Sequence, residues 1–333
     1  MSFKVVSGIG GADAIKAELA RVDAEVVLAP VWTEEDIIKS AADADAVMVG
    51  ATEPYTRKAI EAMKKCRVIS RTGVGYNNID VDAATENGIA VAIVTDASID
   101  EVSDHALAFL LAFYRKIIPV DRLVRQGAWQ LRRREIFEVR VPTVRLNRQT
   151  VGVIGAGRIG GAFMRKVKAF GVKVIVYDPY MTEDAIQAMG ATKVDFEQLL
   201  RESDYISIHC PVTGETKQMF GTGEFSKMKS TAYLINTARG DSVDEKALFN
   251  ALSEGVIAGA GIDVTDPEPP DPDDPLLQLE NVIITAHSAF YSEDSLLALV
   301  MGTVGAVVDA LKGDWPRSLA NPEVKETANR RIR

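Results

Sequence analysis

The chain has 333 residues, 47% hydrophobic and 26% charged, which allows two compact domains and excludes a disordered or collagen-like polymer. A net charge of −9 disfavours nonspecific nucleic-acid binding by the whole chain. Only two cysteines, Cys66 and Cys210, are present, and the opening MSFKVVSGIGG has no apolar run of signal-peptide length. A reducing, cytoplasmic setting with no nucleic-acid or membrane partner is therefore expected.

The first hundred residues alternate β-branched runs with amphipathic stretches. Strands are expected over 4–9, 25–28, 46–49, 67–70 and 90–94. The helical pieces ADAIKAELARV and TEEDIIKSAADA lie between them, with Thr33 and Asp36 spaced to cap the second. Such βα units imply a mostly parallel sheet covered on both faces. SGIGG after the first strand lacks strict GxGxxG spacing, so this domain is read as carrying no dinucleotide of its own.

Residues 100–129 form a long helical pattern that Pro119 should break. Next, LRRREIFEVRVPTVRLNR (131–148) carries six arginines against two glutamates and is read as a solvated arm or subunit contact, with a local nucleic-acid contact as the alternative. From 150 a second βα series begins: TVGVIGAG, VKVIVYD, YISIHC, AYLINTA, VIAGAGIDV and NVIITAH. Six strands ending near 287 match a dinucleotide-binding sheet. A helix over 292–312 follows, with Leu296, Leu297, Val300, Val304, Val307, Val308 and Leu311 at helical spacing. Its apolar stretch is read as too short to span a bilayer. No domain-sized segment follows, so this helix should pack on the first hundred residues. A chain that leaves one domain and returns to it crosses twice, which makes a hinge and a ligand-binding cleft.

The motif VGVIGAGRIGG (151–161) places Gly155, Gly157 and Gly160 at GxGxxG spacing between a strand and a helix. Asp178, 18 residues after Gly160, ends the next strand, where a carboxylate accepts from ribose hydroxyls. It would repel a 2′-phosphate, and Tyr177 and Pro179 bring no positive charge, so NAD is expected rather than NADP. The expected fold class is α/β with two doubly wound parallel-sheet domains. A Rossmann NAD domain (101–292) is inserted into a flavodoxin-like substrate domain (1–100 and 293–333).

Proton transfer near neutral pH usually needs histidine, and there are three. His105, inside the long helix, is read as a packed interdomain residue. His209 ends a strand, where it could touch the cofactor. His287 ends the last strand of the nucleotide sheet beside the hinge and is the candidate proton donor. A carboxylate partner would orient its ring, and GIDVTDPEPPDPDD offers Asp263, Asp266, Glu268, Asp271, Asp273 and Asp274. Spacing does not choose among the later acids. That stretch lacks histidine and cysteine, so no metal site is expected. Arg239, directly after a buried strand, offers a bidentate fork to a carboxylate or carbonyl.

With these residues in place, the sequence resembles the D-isomer-specific 2-hydroxyacid dehydrogenases over nearly its whole length. The motifs, matching in order and spacing, are RTGVGYNNID (71–80), VGVIGAGRIG (151–160), HCPVTGET (209–216), NTARGDSVDEKAL (236–248), AGAGIDVTDPEP (258–269) and ITAHSAFYSE (284–293). Within that family it is most similar to the C-terminal-binding protein branch. The resemblance implies a catalytic set of Arg239, Glu268 and His287, and it is what selects Glu268. Arg239 would bind the carboxylate and carbonyl oxygen of a small 2-oxo acid. His287 would protonate the carbonyl oxygen as hydride arrives from NADH, and Glu268 would hold and polarise His287. Arg71, Val74 and Gly75 would contact substrate. Arg158 and Ile159 would lie on the pyrophosphate, and Thr237 and Asp263 on the nicotinamide amide. His209, Cys210, Pro211, Thr216 and Ala238 complete the implied cofactor contacts.

The family usually has proline where this chain has Ala286, and small residues where it has Phe290. Phe290 would wall the substrate pocket and favour a larger or apolar 2-oxo acid. A homodimer is expected, with its contact in 100–148. The resemblance leaves glyoxylate, hydroxypyruvate, phenylpyruvate, thioether 2-oxo acids and phosphoglycerate open. An NADH-sensing scaffold for protein partners is the alternative function. Formate-type hydride transfer is disfavoured, because it would not need Glu268 beside His287.

Overall fold

A computed structural model describes residues 2–9 and 13–332. The chain divides into two units. One comprises residues up to Ser98 together with the segment from Ser292 onward, and the other is Ile99–Tyr291.

In the first unit the order is β1 Phe3–Ser7, α1 Asp13–Ala20, β2 Ala24–Leu28, α2 Glu34–Ala41, β3 Ala46–Val49, α3 Arg57–Ala62, β4 Val68–Arg71, α4 Val81–Glu86 and β5 Ala90–Ile93. The five strands are parallel in the order β2-β1-β3-β4-β5. Strand side chains alternate between faces. Val6, Val47, Val49, Ile69 and Val91 therefore enter one core with Ile37 and Ile60. Val5, Ala46, Met48, Val68, Ala90 and Ala92 enter the other. Thr33 caps α2 reciprocally with Asp36: the Asp36 N–H donates to Thr33 Oγ1 at 3.1 Å, and the Thr33 N–H donates to Asp36 Oδ2 at 3.2 Å.

The second core is closed by the helix Glu293–Lys312, which brings Val304, Val307, Val308 and Leu311. At 20 residues this helix is long and apolar enough to cross a membrane, so the length argument drawn from the sequence does not hold. Its buried stripe is instead committed to the sheet, and the Ser70 hydroxyl donates to Thr303 O at 2.9 Å. The segment beyond it returns to β5: the Ile93 N–H donates to Ser318 O and the Ala320 N–H to Val91 O. Asn321, fully buried, accepts from the Val91 N–H at 2.8 Å and donates to Ile89 O at 3.0 Å.

The second unit opens with α5 Ile99–Arg115, α6 Ile117–Arg125, α7 Ala128–Leu131 and α8 Arg133–Val139. The break falls at Lys116, in the left-handed region at φ 53°, not at Pro119. Pro119 lies in the first turn of α6, where a missing N–H leaves no helix bond unmade. The arginine-rich arm is solvated. Arg132 pairs with Glu135 and Arg134 with Glu138, while Trp129, Leu131, Phe137 and Val141 are exposed.

There follow β6 Thr150–Ile154, α9 Arg158–Lys168, β7 Lys173–Tyr177, α10 Glu183–Ala188, β8 Thr192–Lys193, α11 Phe196–Glu202, β9 Tyr205–Ile208, α12 Thr222–Phe225, β10 Tyr233–Asn236, α13 Glu245–Ser253, β11 Gly259–Ile262 and β12 Val282–Ile284. With these defined, the helix Glu293–Lys312 is α14. The sheet has seven parallel strands, β12-β11-β10-β9-β6-β7-β8, not six. The extra strand, β8, is two residues at an edge with no apolar run to announce it. Helix α5 packs closely because β11 carries Gly261, where a Cβ would stand 2.7 Å from the Phe109 ring. Lys166 on α9 pairs with Asp100 and Asp104 on α5 at 3.0 and 2.8 Å.

Candidate active site

Strand β6 ends at Ile154, and Gly155 turns the chain at φ 84° toward α9. A Cβ on Gly155 would stand 2.9 Å from His209 O, and one on Gly160 only 2.0 Å from Gly155 O. The first and third glycines are thus required by close packing. Gly157 differs. No heavy atom among the described residues lies within 4 Å of its would-be Cβ, and no side chain caps the helix there. The space beside Gly157 at the start of α9 is open, as a pyrophosphate site at a helix N-terminus requires. Arg158 is exposed and Ile159 half-buried in that first turn.

Asp178, just past β7, accepts from the Ala156 N–H at 2.9 Å and the Tyr180 N–H at 3.0 Å. Each of its oxygens keeps an acceptor position for a ribose hydroxyl. Thr237, just past β10, is 8% exposed, and its Oγ1 is buried without a hydrogen-bond partner. A buried hydroxyl of this kind is a place for a ligand amide. The open Gly157 edge, Asp178 and the orphaned Thr237 together fit NAD. Ala238 is half-buried, and its N–H donates to Asn236 Oδ1 at 3.0 Å.

The 209–216 loop is less direct. The His209 Nε2 bonds Ser207 Oγ at 2.9 Å and Nδ1 is buried, so the imidazole is packed against Phe163. Burial pushes it down to about 3, which keeps it neutral. What His209 brings to the crevice is backbone beside Gly155. Burial pushes the Cys210 thiol up to about 11. Pro211 is exposed, and Thr216 closes its own loop by donating to Pro211 O at 2.6 Å.

The chemical groups lie beyond β10, β11 and β12. Arg239 follows Asn236, whose Nδ2 donates to Arg239 O at 2.8 Å. Its guanidinium donates to Ala238 O at 2.6 Å. Burial pulls its pKa down, opposed by Glu268 and Asp241. Glu268 lies between two cis peptides, Asp266–Pro267 and Glu268–Pro269. The Asp266 N–H donates to Glu245 Oε1 at 2.7 Å, and burial pushes the Glu245 carboxyl up. His287 adopts φ 49°, and its Nδ1 meets Glu268 Oε1 at 2.6 Å. Both side chains stay more than a third exposed, at 37% and 41%. Nδ1 is the orienting nitrogen, so Nε2 is left to exchange a proton. The Phe290 ring stands 6.3 Å from the imidazole.

Asp263 stands differently from its implied role. Its Oδ1 accepts from Thr285 Oγ1 at 2.5 Å and the Ser288 N–H at 2.9 Å, and its Oδ2 from the Ala289 N–H at 2.9 Å. The carboxylate shapes the loop that carries His287, with one acceptor position left on Oδ2. His105 lies within the second unit, its Nε2 3.0 Å from Thr285 Oγ1. Glu245, Thr285 and Asn236 were not singled out from the sequence.

In the first unit, Arg71 ends β4 and its Nη1 donates to Thr72 O. Gly73 follows at φ 126°, Val74 is 46% exposed and Gly75 is half-buried.

Comparison with known proteins agrees with this geometry. Residues 107–289 match the model of the D-isomer specific 2-hydroxyacid dehydrogenase NAD binding domain. The glyoxylate reductase of Korarchaeum cryptofilum is 39% identical over 288 residues, covering 86% of each chain. The D-3-phosphoglycerate dehydrogenase of Archaeoglobus fulgidus is 36% identical over 297 residues, and the match spans only 55% of that longer protein. Among solved structures, D-lactate dehydrogenase from Aquifex aeolicus, complexed with NAD and lactic acid, superposes with a TM-score of 0.81 at 30% identity, covering 93% of this chain and 96% of that one. Rhodotorula graminis D-mandelate dehydrogenase superposes with a TM-score of 0.87 at 25% identity, covering 96% and 98%. On the matched domain and the full-length likeness together, this chain belongs to the D-isomer specific 2-hydroxyacid dehydrogenase family.

Proposed function

We propose that this chain, an NAD-dependent oxidoreductase acting on 2-hydroxy acids, reduces a small 2-oxo acid with His287 as the proton donor. The observation that carries the assignment is the 2.6 Å contact of Glu268 Oε1 with His287 Nδ1, in the same unit as the half-buried Arg239. Bound NADH supplies the hydride that reaches the carbonyl carbon. Arg239 holds the substrate carboxylate and polarises the carbonyl oxygen. His287 gives its Nε2 proton to that oxygen as it gains charge, which yields the hydroxyl group. Glu268 fixes the ring and stabilises its protonated form. In the oxidising direction His287 takes the hydroxyl proton instead.

The glyoxylate reductase and phosphoglycerate dehydrogenase relatives bracket small 2-oxo acids as the substrate class. Phe290 beside His287 supports one with a larger or apolar side chain. The test is loss of NADH absorbance across a panel of 2-oxo acids, with His287→Ala alongside. We expect the variant to lose about 10²–10⁴-fold in kcat. Undiminished turnover in it would remove His287 from the donor role. Phe290→Ala should reorder the panel, and an unchanged ranking would remove the aromatic wall.

We also propose a homodimer, supported by the exposed Ile117, Trp129, Leu131, Phe137 and Val141. A monomer mass by light scattering would overturn it. A cytoplasmic location is supported by the unpaired thiols of Cys66 and Cys210.

A further inference from the structure

Three side chains remote from one another in sequence form one chain of hydrogen bonds: His105 on α5, Thr285 after β12 and Asp263 after β11. Thr285 Oγ1 lies 2.5 Å from Asp263 Oδ1 and 3.0 Å from His105 Nε2. A hydroxyl has one proton. Asp263 is an acceptor already taking the Ser288 and Ala289 N–H groups, so that proton goes to Asp263. Thr285 must then accept from His105, which places a proton on His105 Nε2. The order runs His105 to Thr285 to Asp263.

The other end of this chain is the backbone of the proton donor. The His287 N–H donates to Asp263 O at 2.7 Å, and the next two N–H groups donate to the Asp263 carboxylate. Three successive N–H groups thus close around one residue, and His287 is held at φ 49°. A non-glycine residue resists that conformation and persists in it only where its surroundings impose it. His105 is itself held edge-on to Phe109, with ring centroids 4.7 Å apart, and Phe109 lies against Gly261 two residues before Asp263.

We propose that His105 and Thr285 are positioning residues for the reaction: acting through Asp263, they aim the imidazole of His287. The inference rests on His287 being the proton donor. It predicts an effect on the chemical step and little on binding, because neither residue need touch cofactor or substrate.

The experiment compares Thr285→Val, Thr285→Ser, His105→Leu and His105→Gln with the wild type and His287→Ala. NADH affinity, KM for the 2-oxo acid, kcat and its primary isotope effect from deuterated NADH are measured. Thr285→Val should lower kcat by about 10²-fold, the scale of a misplacement of about 1 Å. KM and NADH affinity should stay near wild type, and the isotope effect should rise as chemistry becomes limiting. Thr285→Ser and His105→Gln, which keep a hydroxyl and an N–H donor, should restore turnover. Wild-type kcat in Thr285→Val would overturn the proposal. So would equal losses in kcat and NADH affinity that serine does not rescue, since those mark a general structural role. If Thr285→Val does not fold, His105→Leu against His105→Gln carries the same comparison. Wild-type turnover in His287→Ala would instead remove the donor assignment beneath it.

Discussion

His287 combines an uncommon backbone with an ordinary chemical need. Its ring must be held without being buried, and Glu268 does this from a loop stiffened by Pro267, Pro269 and Pro270. Glu268→Gln keeps the side chain's shape and removes its charge. We expect kcat to fall by about 10²-fold or more, because the imidazolium loses its stabilising carboxylate. A steady-state assay reads this directly, and an unchanged kcat would show that only the shape of Glu268 matters. His209 gives a test of stability. Burial pushes it down to about 3 in the folded chain, against 6.5 when unperturbed. A depressed folded pKa means that the unfolded chain takes up a proton which the folded chain refuses. Stability is then full above about pH 6.5 and falls by about 1.4 kcal/mol per pH unit toward pH 3. At about pH 5 urea titrations should show roughly 2 kcal/mol of this loss in the wild type and little of it in His209→Gln. Equal pH slopes in the two proteins would refute the assignment. At this scale the sequence discloses Arg239, His287 and Asp178, because each follows an apolar strand run. It does not disclose Asp263 as the anchor of the His287 loop, because the groups it accepts from are mostly backbone N–H donors. Nor does it pair His105 with Thr285, which lie 180 residues apart.

The strand–turn–helix from β6 to α9 is the element most legible in advance. Its glycine spacing is dictated by contacts: a methyl at position 160 would lie 2.0 Å from Gly155 O. Gly160→Ala should therefore move α9 off the strand end and weaken NADH binding by an order of magnitude or more, read by fluorescence titration. Unaltered affinity would show that the loop yields without consequence. Edges are harder to read. Strand β8 is two residues long, and the segment pairing with β5 is recognisable only by its bonds. Asn321 is the key to that segment, since it satisfies one backbone N–H in the edge strand and the C=O just before it. Asn321→Ala would leave a buried N–H and a buried C=O unmatched, at about 1–3 kcal/mol each. Thermal denaturation should show the loss, and an unchanged melting temperature would mean that water takes over both bonds.

Over the whole molecule, the interruption of one unit by another follows from one helix. The apolar stripe of α14, Val304, Val307, Val308 and Leu311, is buried against strands that precede the second unit in the chain. The second unit holds its complete seven-stranded sheet, the glycine turn and all three catalytic candidates between Ile99 and Tyr291. Expressed alone, that segment should fold and bind NADH, and it should not turn over a 2-oxo acid if the substrate contacts that the family resemblance implies for Arg71, Val74 and Gly75, residues of the other unit, are required. Calorimetric titration with NADH checks the first expectation and an absorbance assay the second. Turnover by the segment would show that the first unit is dispensable for chemistry.

The same interruption sets a timetable for synthesis. Residues up to Ser98 leave the ribosome with one face of their sheet covered only by Ile15 and Leu19 of α1, since Val304, Val307 and Leu311 have yet to be made. All of Ile99–Tyr291 must be translated first, roughly 10–40 s at about 5–20 residues per second. During that interval the nascent sheet presents Val5, Met48 and Val68 to the surrounding fluid, and a chaperone that shields apolar surface would find its substrate there.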